Sequence, residues 1–406
     1  MNAEVKPGYK LTEVGVIPED WEVRRIGELK PFITSGSRGW AEFYSDRGAP
    51  FIRITNLVRT SIFLDLKDLR LVNLPKDASE GTRTQLHDDD VLISITADIG
   101  IISYVSPDVP KPAYINQHIA LVRFDASTIS PKFVAYFLAS DKPQKLFRAL
   151  TDSGAKAGMS LITVQNILLA FPPTKAEQAA ISEALSDADA LIESLEKLVT
   201  KKRQIKQGAM QELLTGKKRL PGFSGEWVEK TLGEIANIKT GSSNNQDKNE
   251  DGEYPFYVRS DNVERINSYS HDCEAILIPG EGGIGSIFHY MNGRFDVHQR
   301  VYAITKFVET VSGLFVFYYM VKNFGEHAMQ NSVKATVDSL RLPTFQKFEM
   351  LIPVTYQEQA AIASVLSDMN SEIESLGIKL VKARQLKQGM MHNLLTGKIR
   401  LIDTVS

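Results

Sequence analysis

Several clusters in this chain carry residue types that could do chemistry, and their surroundings decide which chemistry is open to them. Gly280, Gly282 and Gly285 follow an apolar run and have the G-x-G-x-x-G spacing of a dinucleotide site. The residues after them, SIFHYMNGRF, are broken by Asn292 and Gly293 and lack the amphipathic pattern of a helix that could face a pyrophosphate. The segment therefore reads as a tight turn. The Gly-Lys pairs at Gly216 and Gly397 lack the upstream glycine and following Ser or Thr of a phosphate loop. FPPT at 171–174 contains the Pro-Pro of amino-methyltransferase motifs, but neither the preceding Asp or Asn nor the following aromatic. His271 and Cys273 are close, yet Cys273 is the single cysteine, so a zinc site would need distant ligands. The acid run at 88–90 reads as a solvated turn before a strand. No nucleophile, base and oxyanion donor can be assembled from spacing, which points to a binding protein with no catalytic, metal or cofactor site of its own.

Loops rich in Ser, Thr, Asn, Gln and Arg carry a different chemistry: side chains whose donors and acceptors match the edges of nucleobases. In the first half of the chain the candidates are Thr34, Ser35, Ser37, Arg38, Arg53, Thr55, Asn56, Arg83, Asn116 and Gln117. In the second half they are Thr240, Ser242, Ser243, Asn244, Arg259, Asn262, His298, Gln299 and Arg300. Polar loops are also what any soluble domain shows. The aromatics Phe133, Tyr136 and Phe137, and Phe315, Phe317, Tyr318 and Tyr319, could stack bases, but their helical spacing assigns them to cores.

The elements that must position these loops are duplicated. Residues 177–220 recur at 358–401 with an offset of 181 and no gap, and 26 of the 44 aligned positions are identical. Both copies read EQAAI, LSD, IESL, KQG and LLTGK in that order. Apolar residues at alternating spacings of four and three, among them Ile181, Leu185, Ile192, Leu195 and Val199, and Ile362, Leu366, Met369, Ile373, Leu376 and Leu380, form a coiled-coil seam. Each helix is acidic early and basic late: residues 177–196 hold six acids and no base, and 197–219 hold eight bases and one acid. That polarity suits the helix dipole, and it favours an antiparallel pair in which each acidic half faces the other's basic half.

The rest of the chain repeats loosely. Trp21 followed by IGEL parallels Trp227 followed by LGEI, and TSGS at 34–37 parallels KTGS at 239–242. PFIRITN parallels PFYVRSDN, NQH at 116–118 parallels HQR at 298–300, and FP or IP precedes each long helix. The expected organisation is a mixed α/β (α+β) chain. A globular unit at 1–174 is followed by a spacer helix at 175–217, and a second unit at 218–355 by a second helix at 356–401. Antiparallel pairing would relate the units by a pseudo-twofold and bring the two chain ends together. Near-constant helices beside drifting units suggest one shared task and two different readers.

At 406 residues, 43% hydrophobic, the chain can bury two cores of ordinary size. It has no run apolar and long enough to span a bilayer, and no leader pattern is visible, so a cytoplasmic protein is expected. The net charge of −2 excludes a uniformly basic nucleic-acid binder, though not a basic face.

The tandem W…GE units closed by FP or IP, the paired EQ…LLTGK helices and GYKLTEVGVIPEDWEV at 8–23 resemble the specificity subunit of type I restriction-modification systems. The resemblance spans essentially the whole chain. It implies two target-recognition domains, each reading half of a split double-stranded DNA sequence, and two helices that fix the gap and dock modification (methyltransferase) subunits. Catalysis, methyl donor and ATP would belong to partners, with or without a restriction subunit. A self-contained DNA-modifying enzyme and a coiled-coil scaffold without nucleic acid are the alternatives. The units match by skeleton only, so the target sequence does not carry over.

Overall fold

The computed structural model describes residues 5–75, 79–152, 158–332 and 339–401. It forms two compact units, the first from residues 1–195 and 379–406, the second from 196–378. Each unit thus holds part of both long helices.

The first unit opens with a hairpin, β1 (Tyr9–Thr12) and β2 (Gly15–Pro18), and then β3 (Glu22–Arg25). Next come β4 (Phe32–Ser35), β5 (Tyr44–Ser45), β6 (Ala49–Ile52), β7 (Arg70–Val72) and a short helix α1 (Ser79–Thr84). β8 (Val91–Ser94), β9 (Ile102–Tyr104), β10 (Tyr114–Ile115) and β11 (Ile119–Arg123) lead to α2 (Pro131–Leu138), α3 (Asp141–Asp152), α4 (Leu161–Gln165), β12 (Leu168–Phe171) and the long α5 (Lys175–Leu213). Two four-stranded sheets result, ordered β4-β11-β8-β9 and β10-β6-β7-β5, and β12 pairs with β3. Continuous apolar runs make β8 and β11 the buried central strands of their sheet, with only Arg123 at the end of β11 partly exposed. α2 starts where Ser130 accepts a hydrogen bond from Phe133 N and Pro131 takes the first position, the usual N-terminal signals. Its aromatics are core as expected: Phe133 and Tyr136 are buried, and Phe133 meets the fully buried Trp21 edge-on with centroids 6.3 Å apart.

The second unit repeats the plan. β13 (Trp227–Thr231), α6 (Leu232–Ile235), β14 (Asn237–Thr240), β15 (Tyr254–Tyr257), β16 (Glu264–Ile266), β17 (His271–Pro279), β18 (His289–Val297) and β19 (Val301–Thr305) precede α7 (Gly313–Gln330), α8 (Leu342–Gln346), β20 (Glu349–Pro353) and α9 (Tyr356–Leu394). Its main sheet has six strands, ordered β14-β19-β17-β18-β15-β16. Trp227 meets Phe315 edge-on at 6.2 Å, as Trp21 meets Phe133. The glycine-rich segment at 280–285 is the turn of the β17–β18 hairpin and is followed by a strand, in line with the tight-turn reading.

The repeated EQ pair anchors each long helix. Gln178 accepts from Ser130 N at 2.8 Å and donates to Pro172 O at 2.9 Å; Gln359 accepts from Ser312 N at 2.9 Å and donates to Pro353 O at 2.8 Å. Glu177 is buried against Arg400, and Glu358 against Arg219. Arg400 and Arg219 are themselves 181 positions apart, so each unit is clasped by the end of the helix from the other repeat. The cores say the same. Ile181 and Leu185 of α5 share a cluster with Leu394 and Leu395, while Ile362 and Leu366 of α9 share one with Met210, Leu213 and Leu214. In both units the start of one helix lies with the end of the other, which is antiparallel. Val199 and Leu376 are buried too, and Ile192, Leu195, Met369, Ile373 and Leu380 are half-buried, as a seam requires.

Within the first unit Tyr9 donates through its hydroxyl to Gly397 O at 3.2 Å, and Arg400 bonds both carboxylate oxygens of Asp20 at 3.0 and 2.9 Å. The described ends of the chain are therefore neighbours; residues 402–406, part of that expectation, lie outside the described residues. The acid run at 88–90 departs from the solvated turn expected of it. Asp90 is fully buried and clamped by Arg123 at 2.7 and 2.8 Å, because a carboxylate beneath β11 needs a cation to offset its desolvation. Asp88 and Asp89 are exposed, and they bond Lys111 and the Tyr104 hydroxyl. Among the described residues no helix is long and apolar enough to cross a membrane, and no group of three or more His, Cys, Asp or Glu is placed to hold a metal ion.

Candidate nucleic-acid interface

In each unit a glycine turn passes over a second turn, and some of the candidate side chains collect there. In the second unit β14 is followed by Gly241, whose N–H donates to Val301 O at 3.1 Å. A Cβ at Gly241 would lie 1.9 Å from Val297 O, so only glycine permits the approach. Ser243 then bridges to His298, and Gln299 N donates to Ser243 O at 2.9 Å. The first unit does the same with Gly36, which donates to Ile119 O and whose Cβ would lie 2.1 Å from the Asn116 backbone; Ser37 then bridges to Asn116. The second turn hangs from the parallel pairs β6–β10 and β15–β18, where Asn116 N donates to Ile52 O at 3.1 Å and His298 N to Tyr257 O at 3.0 Å. The sequence parallels TSGS/KTGS, NQH/HQR and PF are thus parallels of backbone geometry.

The second unit's turns enclose an open, polar cavity of ≈ 550 Å³. It unites Asn244, Arg259, His298, Gln299 and Arg300 of the candidates, together with Asn245, Gln246 and Glu281. Glu281 was not singled out by sequence. It receives Arg300 Nη1 at 2.8 Å on one oxygen and Arg259 Nη1 at 3.5 Å on the other. Gln299 donates its amide to Asn244 Oδ1 at 2.5 Å. His298 accepts from Arg300 N on Nδ1 at 3.0 Å, which places the proton of a neutral ring on Nε2. Burial, and then the neighbouring Arg259 and Arg300 charges, hold its pKa below the ordinary imidazole value. Ser243 is turned to the buried Asp296 at 3.1 Å. Thr240, Ser242 and Asn262 are exposed but do not line the cavity.

The first unit is built around Arg83. Its Nη1 donates to Thr34 Oγ1 at 2.5 Å and to Ser35 O at 2.6 Å, and its Nη2 reaches Ser37 Oγ at 2.5 Å. Arg83 and Arg38 are exposed, Gln117 is half-buried, and Thr34 and Asn116 are buried. Gln117 Nε2 lies 3.1 Å from His118 Nε2, and His118 Nδ1 bonds the Thr96 hydroxyl. The 53–56 loop is held from inside. Asn56 is 2% exposed, accepts from Arg53 N at 3.0 Å and donates to the carbonyls of Asp65 and Asp68. Arg53 pairs with Asp68, and Thr55 is exposed. The visible task of Asn56 is therefore to close its own loop. The arrangement as a whole offers amides, hydroxyls and guanidinium groups on two raised turns, with no nucleophile–base pair among them.

Comparison with known proteins agrees on one family. The profile of the type I restriction modification DNA specificity domain matches residues 18–207 and 224–382. A Methanocaldococcus jannaschii protein provisionally named type I restriction enzyme MjaX specificity subunit is 26% identical over 97% of both chains. The type I restriction enzyme EcoDI specificity subunit of Escherichia coli is 27% identical over 42% of this chain and 37% of its own. Among solved structures, the type I restriction-modification S subunit of M. genitalium superposes with a TM-score of 0.67 at 17% identity, covering 96% of this chain and 98% of that one.

Proposed function

Because the chain belongs to the family of type I restriction-modification DNA specificity proteins, we propose that each unit reads one half of a bipartite site in double-stranded DNA, that α5 and α9 set the gap between the halves, and that the same helices dock methyltransferase subunits. The observation that carries this reading is the doubled site. The same glycine crossing and the same bridged turn recur in both units, while the polar side chains they raise differ. One frame with two sets of readers suits an asymmetric target, because phosphate contacts position a protein and side chains on base edges specify.

The 39 residues of each long helix, at about 1.5 Å each, span roughly 58 Å, more than the ~34–36 Å of one duplex turn. A helix of that length suits a spacer. Methyl transfer to a base inside a duplex requires that base to be flipped out, a step that belongs to partner subunits together with the methyl donor and ATP. A further solved chain with a TM-score of 0.52 comes from work on complex assembly of the type I R-M system, which supports docking of such partners; a restriction subunit would join through them. The two exposed arginines of the second cavity supply local positive charge that the net charge of −2 conceals.

The test is selection from randomised duplexes by the full chain together with its modification subunits. Two short fixed sequences at a constant separation are expected. Inserting one heptad at matched points of both helices should change the separation and leave both sequences intact. Recovery of a single continuous site, or an unchanged gap in an active insertion variant, would defeat the reading.

A further inference from the structure

Backbone bonds make two further turns equivalent. Ile95 N donates to His118 O at 2.9 Å in the first unit, and Gly280 N to Arg300 O at 2.8 Å in the second. The next residue in each case, Thr96 or Glu281, reaches across to the side chain of His118 or Arg300. A hydroxyl–imidazole pair in one unit thus stands where the other has a carboxylate–guanidinium pair.

In the second unit Glu281 holds Arg300 only by Nη1, and the Nε and Nη2 of Arg300 have no partner among the described residues. A guanidinium fixed at one corner and open along an edge presents two parallel N–H donors, the shape that fits N7 and O6 of guanine. In the first unit His118 uses both ring nitrogens, Nδ1 on Thr96 and Nε2 on the Gln117 amide, so Gln117 is the group that the pair presents. A carboxamide fits N6 and N7 of adenine.

We propose that this cross-turn pair is the specificity-determining position of each unit: Glu281 positions Arg300 on a guanine of one half-site, and Thr96, acting through His118, positions Gln117 on an adenine of the other. The proposal rests on the reading of both units as DNA readers. Glu281 also places a carboxylate beside the phosphates, which weakens sequence-independent binding. It therefore trades affinity for discrimination.

The experiment is the same selection from randomised duplexes, run with the full chain and its modification subunits, for the wild type, Arg300→Ala, Glu281→Ala, Glu281→Gln and Gln117→Ala. Arg300→Ala should remove a guanine preference at one base pair by about tenfold or more and leave the other half-site unchanged, which also shows that the variant is folded. Glu281→Ala should flatten the same preference without weakening binding to random duplex, and Glu281→Gln, which keeps an acceptor for Nη1, should restore it. Gln117→Ala should relax one adenine position in the other half-site. An unaltered base preference in Arg300→Ala would overturn the proposal. So would a loss that is uniform across sequences with a shallower salt dependence, the mark of a phosphate contact, or a loss of both half-sites together. Failure of the wild type to select two half-sites would instead defeat the underlying reading.

Discussion

The two units build one frame from different sheets. In the second, the nine-residue β18 pairs with β17 along one stretch and with β15 along another, so a single six-stranded sheet runs through the unit. In the first, the equivalent path is cut into β9 and β10 by a segment containing Pro107, Pro110 and Pro112, and two four-stranded sheets take its place. Proline supplies no N–H to a ladder, so a strand cannot continue through such a segment. Yet the raised turn is presented alike in both units. Its position depends on a few backbone contacts, namely the glycine crossing and the bonds to Ile52 or Tyr257. Sheet continuity is therefore free to vary, and so are the side chains at the tip.

The helix clasps, by contrast, are near copies, and four comparisons between the units can break or sharpen that statement. The largest effect should come from the buried ion pairs. Arg400→Ala strands Glu177 and should cost about 3–5 kcal/mol in the first unit; Arg219→Ala strands Glu358 and should cost a similar amount in the second. Hydrogen exchange resolved by unit checks this, and loss of protection in the wrong unit would contradict the crossed clasp.

The next effect separates the copies. Lys387 and Lys206 occupy the same repeat position, but Lys387 bonds the buried carboxylate of Asp189 at 2.5 Å, whereas Lys206 meets the neutral Asn370. Lys387→Met should cost about 2–3 kcal/mol and Lys206→Met about 1 kcal/mol or less, measured by denaturant unfolding. Equal costs would mean that packing of the lysine stem outweighs the charge.

Third, the LLTGK glycines both adopt left-handed backbone, at φ 67 for Gly397 and 69 for Gly216. Alanine costs about 1–2 kcal/mol at either for that reason alone. A Cβ at Gly397 would also lie 2.4 Å from the Pro18 ring, against 3.3 Å from the Trp227 ring at Gly216. Thermal unfolding should therefore rank Gly397→Ala as the more damaging.

The smallest effect is a pH dependence contributed by two histidines of the second unit. Burial holds His298 and His271 below the ordinary imidazole pKa, so the unfolded chain takes up protons before the folded one does. The penalty is absent above pH ~6.5 and grows as pH falls through the folded values, so stability decreases on acidification. His298→Asn, which installs the residue found at the equivalent Asn116, should reduce that dependence. A slope unchanged in the variant would remove His298 from the account.

Much of this was legible in the sequence because it is local or repeated. The seam follows from spacing, the aromatic cores from helical period, and the correspondence of NQH with HQR from order along the chain. What escaped was pairing between turns far apart in sequence. Glu281 sat within a glycine pattern already assigned to a turn, and nothing local marks it as the anchor of Arg259 and Arg300. An acid in an otherwise neutral glycine turn, beside the return of an arginine one hairpin later, was the available signal. Asp90 was misread for the same reason: its partner Arg123 lies a strand away, and burial is decided by that partner rather than by its acidic neighbours.

The crossed clasp also orders events during synthesis. The second unit can close once α9 has emerged as far as Ile378, because everything it contains is then present. The first unit, made earlier, must wait for Leu394, Leu395 and Arg400, which follow the whole of the second unit along the chain, before Trp21 is covered and Glu177 is neutralised. The unit made first is thus the later of the two to mature, and a ribosome that stops at residue 378 releases a complete second unit attached to an incomplete first one.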